Sequence, residues 1–490
     1  MLAAGVKRVK HAQGIDAGRT FQHAPALDRA QSDVALTRAA YADSLRPIGD
    51  EAADRRFQAL LAPFGHRPVP TPLRYILDCE ETRPENTKMF DNALAGVRVL
   101  DLTHHVAGPQ CTKLLGDYGA DVIKVERPGA GDSARAMGPY PGDEPHPEKS
   151  GMFLHLNTSK RGITLDLKDP AGAQIAKDLA ATADIVVENF RPGVMDRLGL
   201  GYDELEAINP AVVVASISNF GQTGPYRDLK SSDLVAYAMG GPMNITGHAD
   251  REPLKLAGNI VAMHSGSVAA YASTLALFDA EDSGEGQHID VSVYETQAGF
   301  RDRRVVWLTA HSYTGYLGSR PDPAVRVASG TRPCADGYVN ILGFGPRFRN
   351  ICEMIGHPEL ADHPVLSNPA GRSDPEAAYL FDEYYIPWLM EHTMLEAVTV
   401  AQEHHLLAGP INNVEDIFHD PHFAERGFWD PIEHPRAGEL TYPGRPFKMY
   451  GAELPHRSPA PLLGQHTDEV LSELGRSAED IAELRERGIV

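Results

Sequence analysis

Seven basic residues border short apolar runs. Lys124 and Arg127 lie at and after the end of DVIKVE (121–126), Lys160 and Arg161 precede GITLDL (162–167), and Lys168 follows it. Arg191 follows VENF, and Lys230 follows a Gly-Pro loop. Cations in such places pair with phosphate oxygens through charge-assisted hydrogen bonds. Ligands of open α/β sheets bind outside the carboxyl ends of the strands. The pattern points to a pocket for a phosphorylated, nucleotide-like ligand. Any one of these side chains is ordinary surface decoration; the recurrence carries the argument. It stands out because the chain has 46 Lys+Arg against 67 Asp+Glu, a net charge of −21. A surface this acidic repels phosphate backbones, so nucleic acid is not an expected partner.

Other chemistries find little support. The loop THHVAGPQ (103–110) has no GxGxxG, which rejects the dinucleotide fingerprint. The sequence holds no Walker A, GxSxG or HExxH motif. His419 and His422 flank Asp420-Pro421, a turn signal, and His404 and His405 are adjacent, so neither pair suits a metal and none is expected. Cys79, Cys111, Cys334 and Cys352 are far apart, which argues against disulfides or structural zinc and fits a reducing cytoplasm. No run is expected to supply the ~18 apolar residues of a membrane helix. The start, MLAAGVKRVKHAQG, lacks the apolar stretch of a signal peptide.

The elements that must position these residues follow from the pattern. The 490 residues are 42% hydrophobic and 23% charged, ordinary for a globular chain. Residues 1–94 read as an extension, with helical spacing of Leu36, Ala40 and Leu45. From Gly96, strands alternate with helices: VRVLDL (97–102), a helix ending at Gly119, DVIKVE, GITLDL, a helix over 170–183, IVVEN (185–189), a helix near 203–208, and VVVASIS (212–218). This predicts a large, open, mainly parallel α/β domain. Residues 255–281 read as a helix buried all round, followed by a strand in GQHIDVSVYET. Residues 312–335 read as a linker. A smaller α+β domain follows, with the strand DGYVNILGF, helices near 346–356 and 377–404, and a Pro-rich stretch over 430–463. The tail reads as a helix from Thr467 stopped at Gly475 and another from Ser477. The expected division is 1–94, a large domain of 95–311 with 430–490, and a small domain of 312–429.

Seven ordered blocks are familiar: GVRVLDLTHHVAGPQCTKLLGDYGADVIKVERPGAGD, NTSKRGITLDLK, VVENFRPGVMDRLGLGYDEL, NPAVVVASISNFGQTGP, SDLVAYAMGGPMNITG, SGEGQHIDVSVYE and PLLGQHTDEVLSELG. Together, over residues 95–490, they resemble the family III CoA-transferases, the group of formyl-CoA and carnitine CoA-transferases and α-methylacyl-CoA racemases. The resemblance implies an interlocked homodimer, coenzyme A or an acyl-CoA as substrate, and a carboxylic acid as the second substrate. Matched block by block, it places His104, Arg127, Leu165, Lys168, Asn189, Phe190, Arg197 and Lys230 against CoA.

The sequence departs from that group at one point. The resemblance implies a nucleophilic Asp four residues before the Gly of a D-x-x-[AS]-G block. Here the block reads Ala262-Met263-His264-Ser265-Gly266, and no carboxylate lies between Glu252 and Asp279. The H-D position of the racemases reads Ser232-Asp233, and Val106 replaces a polar loop residue. Three readings stay open. In one, the chain acts on a CoA thioester by isomerase, lyase or dehydratase chemistry, with His264, His105 and Asp233 as acid–base groups. In another, it is a true CoA-transferase using another nucleophile. In the third, it is a non-catalytic CoA-binding or heteromer scaffold.

Overall fold

The computed structural model describes residues 92–299, 304–318, 320, 326–450 and 454–490. The spacing of Leu36, Ala40 and Leu45 lies outside them. Six short strands form the main sheet: β1 (Arg98–Asp101), β2 (Asp121–Glu126), β3 (Lys160–Thr164), β4 (Ile185–Glu188), β5 (Val213–Ser218) and β6 (His288–Ser292). All pairings are parallel, in the order β3-β2-β1-β4-β5-β6, with Val99 beside Val122 on one side and Ile185 on the other. Parallel strands need crossover connections, which cover both faces of the sheet and explain the nearly continuous apolar runs.

Successive strand residues point to opposite faces. Leu100, Ile123, Ile163, Val186 and Val214 meet Ile175 and Leu179 of one helix and Leu205 of another. Val99, Val122, Ile185, Val187 and Ala215 meet Cys111, Leu115, Ala269 and Leu277 on the other side. The helices concerned are α1 (Ala107–Asp117), α2 (Pro170–Ala180), α3 (Tyr202–Ile208), α4 (Asp233–Met239), α5 (Ile260–Ser283) and α6 (Val293–Gly299). Asp169 caps α2 by accepting from Ala171 N–H, with Pro170 at the first helical position. Two C-terminal helices, Thr467–Glu473 and Ala478–Glu486, lay Val470, Leu471, Ile481 and Leu484 on the first face, and Ser477 forms the expected capping box with Asp480.

Five expectations need correction. Helix α5 is not buried all round. Ser265, Ala269, Ser273, Ala276 and Ala280 are buried, whereas Tyr271, Leu275 and Phe278 are 60%, 53% and 75% exposed. Its small residues fit one neighbour closely: a Cβ on Gly266 would sit 2.2 Å from the Ala107 carbonyl oxygen. At 24 residues, α5 is also long and apolar enough to cross a membrane by length and composition alone, which no run was expected to be. Next, the segment read as a linker over 312–335 contains the end of a helix (Arg304–Thr314) and β7 (Ser329–Pro333). β7 pairs antiparallel with β8 (Tyr338–Leu342), which pairs with β9 (Leu407–Pro410). Val339, Ile341, Phe381, Tyr385 and Leu389 form the core of this second region. The single helix expected over 377–404 is two, Pro375–Met390 and Met394–Glu403, because Thr393 and Glu396 form a capping box between them. Last, the Pro-rich stretch holds an antiparallel hairpin, β10 (Trp429–His434) and β11 (Gly438–Pro443). A two-stranded ribbon has free edges, where Pro431 and Pro443 are tolerated.

Candidate active site

A cavity of about 990 Å³ opens where the strand order reverses, at the carboxyl ends of β1, β4 and β5. A crevice at this reversal is where open α/β sheets bind ligands. The loop after β1 contributes His105 and Ala107, the loop after β4 contributes Asn189, Phe190 and Arg191, and the end of β5 contributes Ile217 and Ser218. Asp233 of α4, Lys255, and Val261 and Ala262 of α5 complete the wall.

The first loop rests on four buried charges. Asp101 at the end of β1 accepts from Thr103 N–H (2.9 Å) and the Thr103 hydroxyl (2.6 Å), and its other oxygen accepts from Thr112 (2.7 Å) and Lys160 (3.0 Å). Lys124 lies 2.9 Å from Asp132 and donates to the Thr103 carbonyl at 2.9 Å. Desolvation pushes the Asp101 carboxyl up, but Lys124 and Lys160 outweigh it and hold it below the usual carboxylate range. Desolvation lowers the Lys160 ammonium to about 8 despite the attraction of Asp101. Asp132 accepts from His105 N–H at 2.7 Å. His105 has φ 73°, a left-handed conformation costly for a residue with a side chain. The buried charges hold that turn in place.

The β4 end is fixed to this loop. Asn189 accepts from His104 N–H (3.0 Å) and donates to the His104 carbonyl (2.7 Å). Glu188 accepts from Phe190 N–H at 2.7 Å, and burial pushes its carboxyl up to about 7. On the far wall, one Asp233 oxygen accepts from Ala262 N–H (3.1 Å), and the other lies 2.7 Å from the Lys255 ammonium. Lys255 also donates to the Leu256 and Gly258 carbonyls. Asp233 therefore ties α4 to the first turn of α5 and to the loop before it.

The structure gathers some of the sequence-derived residues and separates others. His105, Asn189, Phe190, Arg197, Lys230 and Asp233 share the cavity wall. His264 does not line it; its Nδ1 lies 3.3 Å from Gln297 Nε2 on α6. His104 sits behind Asn189 with its ring 5.9 Å from that of Phe190, and Leu165 is in the core. Arg127 and Lys168 are exposed beyond β2 and β3, outside the wall. Three of the bordering cations are not free for phosphate. Lys124 and Lys160 are buried in ion pairs, and Arg161 pairs with Asp121, Glu469 and Glu473. Ser218, Arg227 and Lys255 line the cavity without having been singled out. Arg227 and Lys255 fall in loops without periodicity; their only sequence signal is nearness to Lys230 and to the start of the long helix. Arg191, Arg197, Arg227 and Lys230 are exposed and make no ion pair with a described residue. No cluster of metal-ligating side chains occurs among the described residues. The arrangement suits a polyanion whose uncharged end reaches Ala107, Ile217, Val261 and Ala262.

Comparison with known proteins agrees. Residues 94–467 match the model of CoA-transferase family III. The chain is 34% identical over 419 residues to a formyl-CoA:oxalate CoA-transferase of Rhodopseudomonas palustris, covering 81% of this chain and 97% of that one. It is 33% identical over 420 residues to the human succinyl-CoA:glutarate CoA-transferase, covering 83% and 92%. Among solved structures, a CAIB/BAIF family protein from Brucella suis superposes with a TM-score of 0.70 at 30% identity, covering 78% and 100%.

Proposed function

Because the chain belongs to CoA-transferase family III, we propose that it moves CoA from an acyl-CoA to a carboxylic acid in the 990 Å³ cavity. One observation carries the reading: four cations that pair with no described carboxylate, Arg191, Arg197, Arg227 and Lys230, ring that cavity in a chain of net charge −21. They would take the phosphates of CoA, and the thioester would lie toward Ala262. The names of the relatives support transfer over isomerisation, and so does the position of His264. Of the three acid–base candidates, only His105 and Asp233 face the same space. The exposed Tyr271, Leu275 and Phe278 of α5 support the homodimer expectation.

The test is an exchange assay. Succinyl-CoA is offered with glutarate or oxalate, and formyl-CoA with oxalate, and the acyl-CoA products are weighed by mass spectrometry. A new thioester carrying the acceptor acid is expected. CoA binding without any exchange would sink the transferase reading. An isomerised or dehydrated acyl-CoA would favour acid–base chemistry by His105 and Asp233 instead.

A further inference from the structure

Transfer of CoA needs a nucleophile for the thioester carbonyl, and the cavity wall is short of one. Ala262 offers a methyl group at the start of α5, and no carboxylate lies between Glu252 and Asp279. Among the described residues, the cavity is lined by two carboxylates, Asp233 and Asp228. Asp233 accepts from Ala262 N–H with one oxygen, and the other makes no hydrogen bond with a described residue but is ion-paired with Lys255, which is itself held by two carbonyls. These contacts hold the Asp233 carboxylate between α4 and α5. Asp228 lies on an exposed loop, where nothing described orients it. One buried hydroxyl in the wall also lacks a partner among the described residues. Ser218, at the end of β5, is 6% exposed, and its hydroxyl makes no hydrogen bond with a described residue. A buried hydroxyl left unpaired is costly, so this one is poised for an acceptor that arrives with a ligand.

Resting on the transferase reading, we propose that the acid receiving CoA is itself the nucleophile. Its carboxylate lies beside Ala262, accepts the Ser218 hydroxyl hydrogen bond, and attacks the acyl-CoA directly, with no covalent enzyme intermediate. In the first step, a carboxylate oxygen bonds to the thioester carbonyl carbon and the C–S bond breaks. The products are a mixed anhydride of the two acids and the CoA thiolate. In the second step, the thiolate bonds to the acceptor's carbonyl carbon and the anhydride C–O bond on that side breaks. The donor acid leaves as a carboxylate carrying one oxygen from the acceptor. Charge balances at each step, and no further reactant is needed. Both acids must be bound together, so the gain comes from proximity rather than from a protein nucleophile.

The test uses succinyl-CoA and glutarate labelled with ¹⁸O in both carboxyl groups, with the protein in excess so that each molecule turns over once. The expected result is succinate carrying one ¹⁸O and a protein of unchanged mass. Unlabelled succinate, with ¹⁸O left on Asp228, Asp233 or any other side chain, overturns the proposal in favour of a covalent route. Absence of any transfer is a different result: it removes the transferase reading itself. Two variants locate the acceptor. Ser218→Ala should raise the glutarate KM by roughly tenfold or more, the scale of a lost hydrogen bond to a charged group, and Ala262→Val should raise it by crowding the acceptor carboxylate. Retained CoA binding by calorimetry shows that each is folded. If Ala262→Val does not bind CoA, Ser218→Ala decides alone. An unchanged glutarate KM in the folded variants overturns the placement.

Discussion

Beneath the loop after β1, Lys124 and Lys160 are wholly buried and paired with Asp132 and Asp101. Around the cavity, Arg191, Arg197, Arg227 and Lys230 are exposed and pair with no described carboxylate. Both groups are cations near strand ends of one sheet, yet their environments give them opposite work. The buried set is two cations against two anions. It is neutral as a whole, and its hydrogen bonds go to the backbone and hydroxyls of the 103–112 turn. It has no charge left for a ligand. The exposed set faces a single lining acid of its own loop, Asp228, and keeps an excess of positive charge. The difference teaches that a cation at a strand end signals a phosphate site only when no carboxylate from a neighbouring strand has already claimed it.

The largest effect expected from this contrast is on stability. Lys160→Met leaves Asp101 buried with one cation partner fewer, and such a loss should cost about 3–5 kcal/mol. Arg197→Ala, at the exposed rim, should change stability by no more than about 0.5 kcal/mol. Urea midpoints of the two variants check both. Comparable losses would erase the distinction between the regions.

Binding should show the reverse. Arg197→Ala and Lys230→Ala should each weaken CoA binding by about 1.5–3 kcal/mol, or roughly ten- to a hundredfold, at low salt. The loss should shrink as salt screens the pairs. Arg127→Ala and Lys168→Ala, outside the cavity wall, should lose less. Calorimetric titration with CoA at two salt concentrations makes the comparison. A larger loss at Lys168 than at Arg197 would move the phosphates to the β3 end of the sheet.

Much of the fold was legible because burial on both faces leaves a strong sequence trace. VRVLDL, DVIKVE and VVVASIS are continuous apolar runs, and each is a strand within a residue or two of its expected bounds. The hairpin of β10 and β11 was not legible, since Pro431, Glu433 and Glu439 hide any alternation in a ribbon with free edges. The exposed side of α5 was also invisible: Tyr271 and Phe278 look like core residues in a sequence, and only the packing shows which face is left exposed among the described residues. Of the residues on the cavity wall, Asn189, Phe190 and Arg197 stand in the blocks that carry the resemblance, and Lys230 in the basic pattern. Lys255 and Ser218 were not singled out, because their roles depend on Asp233 and on a missing hydrogen-bond partner, and neither relation is local in sequence.

Glu188 fits neither region and so sharpens the contrast. It is 4% exposed, like the buried set, but no described cation pairs with it. Burial raises its carboxyl from the ordinary 4.5 to about 7; hydrogen bonds from Ser216 and Phe190 N–H pull the other way but do not offset it. The folded chain thus keeps this proton up to about pH 7, whereas the unfolded chain releases it near 4.5. More protons are bound in the folded state between those values, so stability is greatest below about pH 4.5. It falls as pH rises through the window and levels off above about 7. A window of roughly 2.5 pH units corresponds to about 3 kcal/mol at most. Glu188→Gln keeps an oxygen for Phe190 N–H and carries no charge at any pH. At pH 4.5 it should match the parent, and at pH 8 it should be about 1–3 kcal/mol more stable. Urea midpoints of parent and variant, taken from pH 4.5 to 8, give the difference free of other titrating groups. If the variant is the less stable of the two at pH 8, Glu188 is ionised in the folded chain and a cation supports it. The cation on that side is Arg191, which lines both the main cavity and the small one beside Glu188, and the rim would then hold one phosphate-binding cation fewer.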